Sequence, residues 1–287
     1  MTHQLRSSES GAQLLARLEG RRSLKHIEPQ LFLDDSSPAQ GDVVEFHGME
    51  GTGKTEMLYH LVARCILPVD TGGLEVEVMF VDTDHHFDML RLVTILEHRL
   101  PQGHEEVVRA CLGRLFIVHC NSSLQLFFTL HYAEDMFCSR PSLSLLIVDS
   151  ISAFYWVDKS SGGESVSKQE SNLKRCIELL EKLLKDYHIV VFATTQAIMR
   201  SSIPDRPGPS ESSLTLWKQG SPAPRDFSKA YLCKPWQKIV THKVAFSKTD
   251  TSRDKKLVFS VVSSSTRTTG TKRSYFSITD VGVQFVL

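Results

Sequence analysis

Apolar positions along the chain switch between two periods. The run Val-Val-Glu-Phe-His (43–47) alternates as a strand does, and the stretch from Lys54 to about Leu67 puts Met57, Leu58, Leu61, Val62, Cys65 and Ile66 on one helical face. The two patterns then take turns. Further strands are predicted at 76–82 (VEVMFVD), 115–119 (LFIVH), 143–149 (LSLLIVD) and 189–195 (IVVFATT), and further helices at Phe87–Leu100, Leu124–Phe137 and Ser165–Asp186. The runs at 143–149 and 189–195 are almost wholly apolar, as strands covered on both faces must be. Strands separated by helices of about 10–20 residues make βαβ units, so the expected class is α/β: a mostly parallel sheet flanked by helices.

The pattern breaks after Ala197. Residues 198–237 hold six prolines and seven serines with little periodicity, and they read as a flexible loop. Beyond them HKVAF, LVFSVV, YFSIT and VGVQFV read as short strands with no helix between, which predicts an antiparallel C-terminal extension of the sheet. Residues 1–40 read as an N-terminal arm, with Leu14, Leu15 and Leu18 as its one amphipathic pattern, and 41–287 as one domain.

Composition narrows the class without naming it. Lys+Arg is 33 and Asp+Glu is 33, which excludes a histone-like or strongly acidic protein. Six cysteines (65, 111, 120, 138, 176, 233) contain no C-x-x-C pair and sit mostly in apolar stretches. Free buried thiols in a reducing compartment are expected, rather than disulfides or a zinc ribbon. The polar N-terminus lacks a secretory h-region, and no run reaches the roughly 18 apolar residues of a membrane span. A soluble intracellular protein with no membrane partner is expected.

One motif carries chemistry outright. Gly48-Met-Glu-Gly51-Thr52-Gly53-Lys54-Thr55 fits G-x-x-x-x-G-K-[ST], between a predicted strand and a predicted helix. Glycines let successive backbone N–H groups turn inward as an anion nest, and the following helix adds the positive end of its dipole. Lys54 is the expected contact to β- and γ-phosphates, and Thr55 the expected Mg²⁺ ligand. A second carboxylate must hold the metal's shell, and Asp149, ending the apolar run LLIVD, suits that role. A general base belongs at another strand end, where Asp82-Thr-Asp84 follows VEVMFV; Asp82 is expected instead to cap the helix that enters near Asp84–Phe87. The cluster Asp84-His85-His86 argues little for a metal, because adjacent side chains diverge and no distant ligand pair accompanies them. Ser247-Lys-Thr-Asp250 imitates the guanine-reading [NT]-K-x-D of GTPases, but its first residue is wrong and no D-x-x-G follows a strand.

The order GDVVEFHGMEGTGKT, FVDTDHHFDMLRL, LLIVDSISAF, VVFATTQ, YFSITDVGV resembles the RecA-type recombinase core over roughly residues 40–287. SGAQLLARLEG and FDMLRLVTILEHRL are similar to its eukaryotic paralog branch. The resemblance implies a RecA-like P-loop NTPase core that binds ATP with Mg²⁺, and it places Asp84 where the family usually has the glutamate base. It implies that Gln196 senses the γ-phosphate, although the preceding family Asn is Thr195 here. It also implies a DNA-contacting loop at 198–237, assembly with other recombinase paralogs, chiefly the D paralog, a role in homologous recombination repair, and nuclear residence. Aspartate for glutamate shortens the arm by one methylene, so weak or absent hydrolysis is expected. The arm has no F-x-x-A hook, Phe32 being followed by Leu33, Asp34 and Asp35, so a hetero-oligomer is expected rather than a self-filament.

Charge is uneven. Residues 238–273 carry nine Lys/Arg against Asp250 and Asp254, a local +7 that suits weak phosphate contact with DNA or a plain solvated face. Trp217 lies among basic residues, Trp236 reads as a core anchor, and Phe154-Tyr155-Trp156 reads as a DNA-loop start or a partner-facing patch. Three readings remain open: an ATP-binding subunit of a recombination complex, a DNA-stimulated ATPase with its own turnover, and a nucleotide-independent interaction subunit.

Overall fold

The structure, a computed structural model, describes residues 10–11, 21–100, 105–161, 165, 170–196, 232–250 and 257–286. The expectations for Leu14, Leu15, Leu18, Trp217, Arg253, Lys255, Lys256 and residues 198–231 lie outside these.

Chain order begins with β1 (Val43–Gly48), α1 (Lys54–Ile66), β2 (Glu77–Asp82), α2 (Met89–Arg99), α3 (Glu105–Leu112), β3 (Leu115–His119) and α4 (Ser123–Ser139). β4 (Leu143–Asp149), α5 (Tyr155–Ser161), α6 (Ser171–Tyr187) and β5 (Val190–Gln196) follow. α7 (Lys234–Ile239), β6 (His242–Asp250), β7 (Leu257–Ser265), β8 (Thr271–Thr279) and β9 (Gly282–Val286) complete the described chain. The nine strands form one sheet in the order β3-β2-β4-β5-β1-β6-β7-β8-β9.

The α/β expectation holds, but α3 and α5 are helices where none was expected, and three further differences stand beside them. β6 joins β1 in parallel, Val44 opposite His242 through Gly48 opposite Phe246, so only the pairings from β6 outward are antiparallel. The helix expected from Ser165 starts at Ser171, with Ser165 itself outside it. Residues 234–239, read as loop, form a helix with proline in its first turn, where the missing N–H costs no bond.

Both faces of the parallel strands are covered. On one, α1, α2 and β9 pack with Phe46, Phe80 and Phe192. Leu24, Ile27, Leu31 and Phe32, ahead of β1, belong to this same cluster, Phe32 meeting the rings of Phe192 and His242 edge-on. On the other face α4, α6 and Trp236 pack with Met79, Leu146 and Val191. Arg21 closes that side: its buried guanidinium donates to the carbonyls of Tyr187 (2.7 Å), Arg140 (2.7 Å), Leu143 (2.6 Å) and Phe137. Beyond β1, strands β6–β8 keep Val244, Phe246, Phe259, Val261 and Phe276 inward and leave Lys243, Ser247, Arg273 and Tyr275 exposed on or toward the opposite face. The carboxyl ends of β1, β2, β4 and β5 therefore meet at one edge of a doubly covered sheet, where ligands of such folds sit.

Candidate functional site

The phosphate loop spans the end of β1 and the start of α1. Gly53, the residue capping α1, has φ 86°, and a Cβ there would lie 3.0 Å from the Phe276 ring. Gly48 has no room either: a Cβ would stand 2.7 Å from the Phe246 carbonyl oxygen on β6. Both positions require glycine for stated reasons, one of backbone conformation and one of close approach. Thr52 Oγ1 donates to Met49 O (2.7 Å), closing the turn. Lys54 Nζ donates to the carbonyls of Gly48 and Met49, each at 2.8 Å, so the ammonium lies inside the arc of the loop. Burial pushes its pKa down, opposed by Asp149, Asp84 and Glu50.

Asp149 ends β4 and is 6% exposed. Thr55 Oγ1 donates to its Oδ2 at 2.9 Å, and Thr194 Oγ1 donates to its Oδ1. The peptide that follows it is cis. Burial holds its pKa above the usual carboxylate range; the Thr194 and Thr55 bonds and Lys54 act against that, while Asp82 adds to it. A buried carboxylate that shares a hydroxyl with the phosphate loop, beside an ammonium, is the donor chemistry a hard divalent cation prefers. These residues fit a magnesium nucleotide: Lys54 for the phosphates, Thr55 and Asp149 for the metal and its waters. Thr194 was invisible in the sequence, a small polar residue inside an apolar strand, and only the β4–β5 pairing brings it to Asp149.

Asp84 follows β2 and is half-buried. Its pKa is raised by burial first, then by Asp149, with Asp82 adding and His86 and Lys54 opposing. It shares the electrostatic surroundings of the phosphate loop, as a candidate base must. Asp82 departs from expectation. It accepts from the backbone N–H groups of His86 (3.3 Å) and Phe87 (3.1 Å) and so holds the turn after β2, whereas Asp88 caps α2 by accepting from Arg91 N (3.1 Å). Gln196 ends β5, stands opposite Gly48 and is exposed; its backbone N–H donates to Ser152 Oγ (3.2 Å). Its neighbour Thr195 begins a buried polar chain: Thr195 Oγ1 donates to Glu45 Oε1 (3.1 Å), which also accepts from Trp236 Nε1 (3.0 Å). Trp236 is fully buried, a core anchor as its sequence context suggested.

The histidine cluster also differs from the sequence picture. His85 stacks on His119, ring centroids 5.6 Å apart, and Asp82 joins them, so a distant partner exists. Ser247–Asp250 lies within β6, paired with Ser260–Leu257 of β7, rather than in a loop that could read a base. Of the basic residues in 238–273, Arg267 is engaged with Asp42 and Lys272 with the Pro29 and Phe32 carbonyls, while Lys238, Lys243, Lys248 and Arg273 are exposed. Trp156 and Val157 on α5 are more than half exposed, and Lys159 Nζ lies 4.8 Å from the Trp156 ring centroid. Among the described residues no helix is long and apolar enough to cross a membrane.

Relatives agree with this architecture. The Rad51 family pattern matches residues 37–205. The chain is 54% identical to the DNA repair protein XRCC2 of Mus musculus, covering 99% of this chain and 100% of that one. It is 29% identical to an XRCC2 homolog of Arabidopsis thaliana, over 85% of this chain and 78% of that one. The DNA repair protein rhp51 of Schizosaccharomyces pombe is 31% identical over 55% of this chain and 41% of its own length. With a matching pattern over more than half its length, a phosphate loop at the end of β1 and Asp149 at the end of β4, the chain belongs to the Rad51 family of RecA-type recombinases and their paralogs.

Proposed function

We propose that this chain binds ATP with magnesium at the 48–55 loop and serves as a recombinase paralog subunit of a complex that promotes homologous recombination repair of DNA double-strand breaks and stalled forks, in the nucleus. The observation that carries the reading is the Thr55 Oγ1–Asp149 Oδ2 bond of 2.9 Å beside the Lys54 ammonium. The names of the relatives, DNA repair proteins, support the process.

Each residue has a defined task. The turn at Gly51 and Gly53 presents backbone N–H groups, and α1 directs its positive end at the same point. Lys54 exchanges the Gly48 and Met49 carbonyls for phosphate oxygens. Thr55 and Asp149 would hold the magnesium ion, which would supply positive charge at the phosphates and beside the Asp149 carboxylate, an anion that burial disfavours. Asp84 accepts a proton from water only if its carboxylate reaches, and it is one methylene shorter than the family's glutamate. Hydrolysis is accordingly slow, and ATP acts chiefly as a ligand that orders the loop, with Gln196 at the open edge transmitting its presence to the segment after β5. Partners are other recombinase paralogs, the D paralog first among them. DNA contact is weak and electrostatic, through the exposed lysines and Arg273.

Two measurements on the purified chain test this. Equilibrium binding of labelled ATP with magnesium should be saturable and lost in Lys54→Ala; equal binding by wild type and variant refutes the site. Steady-state turnover should be low and should rise in Asp84→Glu. Motor-like turnover in the unmodified chain, lost in Lys54→Ala, would refute the ligand role and establish the DNA-stimulated ATPase instead.

A further inference from the structure

A cluster of possible metal donors lies at the end of β2, next to β4 and with β4 and β5 between it and the phosphate-loop strand β1. β2 sits between β3 and β4, and Asp82 is in register with His119 on one side and Asp149 on the other. We propose that Asp82, His85 and His119 form a binding site for a divalent transition-metal ion of the zinc class, separate from the magnesium position at Thr55 and Asp149.

Two segments far apart in the chain deliver the donors: the end of β2 with the turn after it, and the end of β3. Asp82 is the last residue of β2, His119 the last of β3, and His85 lies in the turn after β2. One ligand atom from each lies within 4.8 Å of the other two, a spacing that a single ion spans. The carboxylate is fixed in advance: it is 1% exposed, and backbone N–H groups of His86 and Phe87 hold its two oxygens. Such outer hydrogen bonds orient ligating carboxylates in metal sites. His119 Nδ1 stands 3.2 Å from Asp82 Oδ2, so one imidazole already faces the carboxylate. His85 takes a left-handed backbone (φ 55°), and its ring lies nearly parallel to that of His119, 16° between planes. A carboxylate–imidazole hydrogen bond alone accounts for two of these groups; it does not require the third donor at the same point.

Two imidazoles and one carboxylate form the donor set of catalytic zinc centres and of non-haem iron centres. Both imidazoles are exposed, which leaves the remaining coordination positions to water and gives an ion a direct path in. Nitrogen donors select zinc, cobalt or nickel over magnesium, so the two sites discriminate by ligand chemistry. His85 directly follows Asp84, so an ion held here fixes the turn that carries the candidate base. The site is a local property of these three side chains and does not depend on nucleotide binding.

The test uses the untagged full chain, stripped with chelator and titrated with cobalt(II) chloride in excess magnesium. Visible d–d absorption should saturate at one equivalent and be abolished by one equivalent of zinc chloride. His85→Ala and His119→Ala should each weaken cobalt binding at least about tenfold, while His86→Ala, one residue away, should bind as the unmodified chain does. Both substituted imidazoles are exposed, and an unchanged urea midpoint confirms that the variants are folded. Absence of saturable absorption in the unmodified chain, or unchanged binding in the His85→Ala/His119→Ala pair, overturns the proposal.

Discussion

Thr194→Val removes one hydroxyl and keeps the shape of the side chain. That hydroxyl is one of two that donate to Asp149, and Thr55 holds the other oxygen. A hydrogen bond to an ionised acceptor is worth about 1.5–3 kcal/mol, against roughly 1 kcal/mol for a neutral one. Asp149 is 6% exposed, so water does not replace the missing donor. The Asp149 pKa is already above the usual range because of burial, and Thr194 is the first of the groups holding it down. The substitution therefore raises it further. A carboxyl whose folded pKa exceeds its unfolded value favours the folded state below the unfolded pKa, and that advantage is lost as pH rises through the folded pKa. The variant should be destabilised by about 1.5–3 kcal/mol at neutral pH. The deficit should shrink to about 1 kcal/mol as pH falls toward 3.8, the ordinary carboxyl value. Urea unfolding at a series of pH values, analysed for a change in midpoint at constant slope, reads this directly. A deficit under roughly 0.5 kcal/mol at neutral pH, or one that does not fall with acid, refutes the assignment of Thr194 as a support of the ionised carboxylate.

Three further outcomes follow from the same structure. Trp236→Phe keeps an aromatic ring in the core but removes a donor from Glu45, 4% exposed, and should cost about 1.5–3 kcal/mol in urea unfolding; a loss below roughly 0.5 kcal/mol counts against the buried chain. His60 Nε2 lies 2.5 Å from Glu28 Oε2 while its Nδ1 meets Arg99 at 2.7 Å, an arrangement that needs a neutral imidazole. Burial lowers the His60 pKa; at Glu28 burial pushes the pKa up, but the hydrogen bonds from His60 and Gln30 N–H and the charges of His60 and Arg64 together outweigh it, so that pKa is lowered too. Both groups bind protons more weakly when folded, so stability should fall as pH drops below 6.5, the ordinary imidazole value, and a midpoint that rises on acidification contradicts this pairing. For DNA, Lys243→Ala with Arg273→Ala should reduce the slope of log K against log salt by about 0.7 for each single-strand phosphate that is no longer neutralised; an unchanged slope in filter binding removes that face from the interface.

The phosphate loop was readable because its requirements are local. Gly48, Gly51, Gly53, Lys54 and Thr55 lie within eight consecutive positions, and each type is dictated by backbone conformation or by the phosphate itself. Buried parallel strands announce themselves by unbroken apolar runs, which is why Asp149 could be placed at a strand end. Short helices were not readable: Tyr155–Ser161 and Lys234–Ile239 are below the length at which periodicity is distinct, and packing stabilises them rather than propensity. The direction of β6 was likewise hidden, since alternation has period two in parallel and antiparallel pairs alike.

From its own letters the chain determined an α/β sheet, a phosphate loop at 48–55 and an acidic strand end at 149, all consequences of near-neighbour chemistry and burial. Tertiary structure alone decided what supports and surrounds them. Thr194 reaches Asp149 across 45 positions, His119 reaches Asp82 across 37, and Trp236 reaches Glu45 across 191. Contacts at such separations leave no periodic trace, because strand order and register, not sequence distance, set which side chains share a site.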